Sequence, residues 1–179
     1  MSSHPSLLQT EHKESLNRRL YRYVMNVFPA ILGTGVKILF IADNWKEVHL
    51  RLGVNFFSRN YVGTIFGGSL FSATDPFYMI MLYNILGKDY VVWDKGATIR
   101  FKRPGTEKVW AKMEINDDFI EKIKLDVAAN GEMVYELKVN WVNKNGKVVS
   151  EIDRVLYVAS KHFYKKKLEA FKEKEKSSA

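Results

Sequence analysis

The stretch Arg59-Asn60-Tyr61-Val62-Gly63-Thr64-Ile65-Phe66-Gly67-Gly68-Ser69-Leu70-Phe71-Ser72-Ala73-Thr74-Asp75-Pro76, followed by an apolar run to Gly87, decides how the rest of the chain is read. Asp75 is its only charged residue between Asn60 and Leu86. A lone carboxylate on an apolar helix is costly unless it is exposed, paired or put to use. The run 65–86 is long enough to cross a bilayer. However, Gly67, Gly68, Ser69, Ser72, Thr74, Asp75 and Pro76 interrupt it, and amphipathic strands follow. A helix apolar all round also suits the inside of a curled sheet, and that is the expectation.

Working outward, residues 13–28 carry Leu16, Leu20, Tyr23, Val24 and Val27 at helical spacing, with Arg18, Arg19 and Arg22 between them. This reads as a helix packed over the edge or mouth of the core; a membrane-surface helix is the second reading. Residues 36–42 and 47–52 form a hairpin, with Val48, Leu50 and Leu52 facing inward and His49 on the solvent side. A strand over 90–102 follows the central helix and ends at Arg103-Pro104-Gly105, because proline cannot continue a ladder. Val109, Ala111, Met113 and Ile115 mark the next strand. Asn116 then caps a short helix with the stripe Phe119, Ile123 and Val127, closed by Asn130-Gly131. Met133, Tyr135, Leu137, Val139 and Trp141 alternate in the following strand. A turn at 143–147 leads into the last strand, 148–158.

The class is therefore α+β: an antiparallel sheet wrapped around one long central helix, with added N- and C-terminal helices and a helical insert. Residues 1–12 read as a flexible N-terminus, 13–160 as one domain, and 161–179 as a charged helix or tail. With 179 residues, 46% hydrophobic and 27% charged, the chain has the composition of one globular domain. It has no cysteine, hence no disulfide or thiolate chemistry, and its start lacks a signal-peptide pattern, so a cytoplasmic location is expected. The net charge of +8 gathers largely at the ends and is not interleaved with aromatics; no nucleic-acid partner and no stable membrane insertion are expected. The four histidines share no ligand spacing, and no metal is expected.

Asn60, Gly63, Gly67, Gly68 and Asp75 fall on the spacing Asn-x-x-Gly-x-x-His-Gly-Gly with an Asp seven residues past the second glycine. This resembles the helix-opening motif of the hotdog-fold thioesterases of the phenylacetate-pathway (PaaI-like) type. Phe66 stands where that family has histidine, and Pro76 follows the Asp; both place the chain toward a poorly characterised bacterial branch. The resemblance implies hydrolysis of an acyl thioester on coenzyme A or a carrier protein. It also implies a homodimer or dimer of dimers, and no cofactor beyond coenzyme A as part of the substrate. A non-catalytic acyl- or lipid-binding protein is the alternative.

On that resemblance Asp75 is the general base or nucleophile, Gly68 and Gly67 supply oxyanion-binding N–H groups, and Asn60 orients water or carbonyl. Phe66, Tyr78, Lys95, Arg100, Lys102 and Arg103 are the expected substrate-binding residues. Each has a structural reading as well. Asp75 before Pro76 can cap a helix that restarts there. The glycines can admit a close neighbour, Asn60 is a common turn residue, and the cations can lie on a solvated strand face. Asp94 and Lys95 read as a local ion pair. The proline is expected to bend or restart the helix at Asp75.

Overall fold

Alternating apolar side chains build one antiparallel sheet, and the computed structural model describes residues 6–177 of it and its helices. The strands are β1 (Lys37–Ile41), β2 (Glu47–Leu52), β3 (Tyr90–Phe101), β4 (Val109–Glu114), β5 (Glu132–Asn143) and β6 (Val148–Ser160). Their spatial order is β1-β2-β4-β5-β6-β3. The inward residues expected on β2, β4 and β5 do face the core: Val48, Leu50, Leu52, Val109, Ala111, Met113, Val139 and Trp141 are all buried.

The central helix lies against this curled face in two pieces, α3 (Gly67–Ser72) and α4 (Phe77–Leu86). Phe77, Tyr78, Met81, Leu82 and Leu86 of α4 are buried, and the Trp141 indole N–H donates to the Leu70 carbonyl at 2.8 Å, fastening α3 to β5. The break falls at Pro76, as the ring requires. The Ser72 carbonyl finds its substitute partner in the Asp75 N–H at 3.1 Å. No helix among the described residues is long and apolar enough to cross a membrane.

The insert, α5 (Asp117–Asn130), is capped as expected: the Asn116 side chain accepts from the Phe119 N–H at 2.8 Å. It ends at Gly131, whose φ of +80° only glycine adopts cheaply. The C-terminal segment is α6 (Lys161–Ser177), a charged helix.

Two expectations fail at the other sheet edge. The stripe Leu16, Leu20, Tyr23, Val24 and Val27 of α1 (Leu16–Val27) does not pack on the core; all five are exposed. The reason lies in β1, an edge strand whose free backbone groups need polar partners. Asn26 accepts from the Ile38 N–H at 2.8 Å and donates to the Ile38 carbonyl at 3.0 Å, and Glu14 accepts from the Ile41 N–H at 3.0 Å. The helix thus turns its polar side to the sheet. After it comes α2 (Pro29–Leu32), a single turn.

His49 is likewise not solvent-exposed but buried, at 3%. Its Nε2 lies 2.5 Å from Oε1 of Glu47, also buried. Residues 6–12, read as flexible, lie over this polar pair: the Gln9 carbonyl accepts from Lys112 Nζ at 3.1 Å, and His12 lies 3.8 Å from Glu47. The rest of that stretch, 1–5, falls outside the described residues.

Candidate functional site

Asp75 sits at the break between α3 and α4, where its carboxylate is the partner of Arg154 on β6. The same Arg154 Nη2 donates to the Asp75 carbonyl at 2.7 Å and to Asp94 Oδ1 at 3.2 Å. The Arg154 side chain is 1% exposed and that of Asp75 59%, so the guanidinium is inside and the carboxylate at the surface. Arg154 Nε and Nη1 are buried without a partner among the described residues. Burial pushes the Asp94 carboxyl above the usual carboxylate range; Arg154 pulls it back and nearby Asp75 raises it again.

Asp75 is therefore no helix cap, because Pro76 holds the cap position of α4 with no side-chain bond. The expected Asp94–Lys95 pair is replaced as well. A bulge between Asp94 and Gly96 makes Lys95 the extra residue of β3 and sets Asp94 opposite Leu156, on the inward row. Lys95 instead lies 5.9 Å over the Tyr157 ring.

Sequence reasoning missed Arg154, although a signal was present. Ser150, Ile152, Leu156 and Val158 are all buried, and Arg154 falls on their row of β6. A cation on a buried strand row needs an acid, and Asp75 was an acid on an apolar helix lacking a cation.

Asn60, Gly67, Lys102 and Arg103 do come together, around a concavity of about 500 Å³ that Leu70 and Phe101 also line. Asn60 uses its side chain on its own loop, accepting from the Thr64 N–H at 2.9 Å and donating to Thr64 Oγ1 at 2.8 Å. Both glycines are overlain by rings. A Cβ on Gly67 would lie 2.8 Å from Phe101 Cζ, and one on Gly68 would lie 2.3 Å from Phe66 Cε1. Phe66, the residue in the histidine position, thus folds across the start of α3.

The remaining candidates are tied up in the protein itself. Tyr78 is buried and donates to the Lys138 carbonyl at 2.8 Å, and burial raises its phenol. Arg100 reaches Asp153 at 2.6 Å and Glu151 at 3.3 Å, and Lys102 reaches Glu151 at 3.0 Å. These are cross-strand pairs on an outer sheet face. No group of three or more His, Asp or Glu among the described residues is arranged to hold a metal.

A six-stranded antiparallel sheet closed on a broken central helix is the architecture of the hotdog, thioesterase-like proteins. A probable thioesterase of Pseudomonas aeruginosa superposes with a TM-score of 0.70 over 83% of this chain and 99% of its own, at 18% identity. A protein of unknown function from Chlorobaculum tepidum gives 0.64 over 81% and 94%, at 12% identity. A thioesterase from Haemophilus influenzae gives 0.58 over 84% and 96%, at 12% identity. At such identities the likeness is one of fold. The chain belongs to the family described as Domain of unknown function (DUF4442), whose model matches residues 17–158. No curated protein matches it significantly.

Proposed function

We propose that this protein hydrolyses an acyl thioester, on coenzyme A or an acyl carrier, in a groove completed when two copies pair along their β3 edges. β3 bonds to β6 on one side only, and an open edge of that length invites a partner strand. The observation that carries the reading is the half-exposed Asp75 carboxylate, aimed by a buried arginine at a break in the central helix of a thioesterase-like fold.

Asp75 takes a proton from water, which attacks the thioester carbonyl carbon. The negative charge that develops on the carbonyl oxygen is held by the Gly68 amide, with Gly67 beside it. The carbon–sulfur bond then breaks, and the departing thiolate takes up a proton. Asn60 of the facing copy orients the water or the carbonyl, and Lys95, Arg100, Lys102 and Arg103 line the approach of an anionic carrier. An acyl chain fits the apolar hollow of about 730 Å³ alongside β3, which Met79, Ile80, Tyr83 and Trp93 help to line.

Assay of Asp75→Asn against acyl-coenzyme A substrates of graded chain length tests this. Turnover should fall at least a hundredfold on the scale of about 10²–10⁴ for a positioned general base, with folding retained; equal turnover would defeat the assignment. A second reading is a non-catalytic acyl binder, favoured by the Phe66 ring over Gly68. Native mass spectrometry showing a retained acyl ligand, with no thioester hydrolysed, would support it instead.

A further inference from the structure

The edge strand β1 presents an arrangement that folding alone does not explain. Lys37 stands directly opposite Arg51 across the β1–β2 ladder, and like charges in that position repel. Lys108 joins them around a concavity of about 560 Å³. Arg100, Lys102, Lys112 and Arg154 each have an acid; among the described residues the side chains of Lys37, Arg51 and Lys108 have neither an ion pair nor a hydrogen bond. Three uncompensated cations around one hollow call for an anion.

The hollow is also apolar on one side. Leu32, Val54, Phe56 and Phe57 help to line it, and Phe56 is 93% exposed. Leu32 is one turn past the end of α1, so the hollow continues the unpartnered stripe. That stripe runs from Leu16, 82% exposed, through Leu20, Val24 and Val27 to Phe28. A contiguous apolar surface of this kind on a soluble fold marks a contact surface.

We infer that this edge docks onto an anionic phospholipid bilayer. The exposed stripe of α1 and the Phe56–Phe57 loop would enter the interface, with lipid phosphates over Lys37, Arg51 and Lys108. A helix that shows its apolar face outward and is held to the protein by its polar face has the geometry of an interfacial anchor, and flanking cations supply the attraction to anionic headgroups. A second copy is the poorer occupant, because an isologous contact here would double the uncompensated positive charge. β1 and β3 are opposite ends of the sheet order, and the hollow around Lys37, Arg51 and Lys108 shares no lining residue with the one alongside β3. The inference holds whether or not Asp75 is catalytic.

Flotation of the full chain with extruded vesicles tests it. The protein should float with equimolar phosphatidylcholine and phosphatidylglycerol, stay behind with phosphatidylcholine alone, and be released by high salt. Neutralising Lys37, Arg51 and Lys108 to Gln together should weaken partitioning roughly a hundredfold. Leu20→Glu with Val24→Glu should abolish it, and both variants should keep the wild-type circular dichroism because every changed residue is at or near the surface. Equal flotation with both lipids, none with either, or unaltered flotation of the variants would overturn the inference. Two further results would also overturn it: full competition by millimolar inorganic phosphate, pointing to a soluble anion, or a smaller assembly for Leu20→Glu on sedimentation, pointing to a second copy.

Discussion

Arg154 and Asp75 lie 79 residues apart and form one ion pair, the arginine inside the sheet and the aspartate at the break of the central helix. The guanidinium also holds the Asp75 carbonyl, so it fixes the backbone of the break as well as the carboxylate. Removing Arg154 leaves half-buried Asp94 beside Asp75 with no cation. Arg154→Leu should therefore cost about 2 kcal/mol in urea unfolding, below the value for a fully buried pair because Asp75 can rehydrate. The loss should also depend on pH. Without Arg154 the Asp94 carboxyl rises further; a raised acid binds its proton more tightly in the folded state, so stability should fall as pH rises from the ordinary carboxylate range. Replacing Asp75 and Asp94 by Asn in the same variant should recover much of the loss.

The fold was legible because its apolar periods are long and regular: Val109 to Ile115 and Met133 to Trp141 alternate as strands, and the polar interruptions after Gly67 favoured a helix inside the sheet over a membrane span. The break was legible from Pro76. The ion pair was not, because Asp75 was read within its own helix while Arg154, 79 residues away on a strand, drew no reading. The failure at α1 has a different origin. Amphipathic periodicity says which face of a helix is apolar but not which face the protein uses, and an edge strand with free N–H and C=O groups takes the polar one. His49 was misread because the strand's outer face is covered by residues 6–12, a contact between distant segments that alternation cannot report.

The glycines separate two kinds of crowding. An alanine at Gly68 would meet the far end of the exposed Phe66 ring, which can swing away, and alanine favours a helix. Gly68→Ala should change stability by less than about 1 kcal/mol while moving Phe66. At Gly131 the backbone is left-handed and a Cβ would lie 2.2 Å from Phe163 Cδ2. Gly131→Ala should cost more than about 1 kcal/mol, since strain and clash act together. Thermal melts of the two variants side by side check the contrast; equal melting temperatures would refute it.

His49 should make stability pH-dependent. Burial lowers its pKa below the ordinary 6.5, and the Glu47 carboxylate only partly opposes this. Lys112 lowers it further, while Glu114 raises it. A depressed pKa means the unfolded chain takes up the proton first. The contribution is then complete above about pH 6.5 and drains away as pH falls through the lowered folded value. Melting temperature should drop between neutrality and mildly acid pH, and His49→Gln should flatten that part of the profile. An identical profile for the variant would show that other groups carry the dependence.

The last prediction sets the two faces of α1 against each other. Conventional reasoning gives the stability of an amphipathic helix to its apolar stripe, yet here that stripe touches solvent and the polar side bears the contacts. Asn26 satisfies both the N–H and the carbonyl of Ile38 on the open edge of β1. Asn26→Ala leaves those groups to whatever water can reach them, and should cost about 1–2 kcal/mol in urea unfolding. Leu20→Ala removes only exposed apolar surface and should change stability by less than about 0.5 kcal/mol. The order is the reverse of what helical periodicity alone implies. A Leu20→Ala loss equal to or larger than that of Asn26→Ala would mean that the stripe is covered in the folded protein.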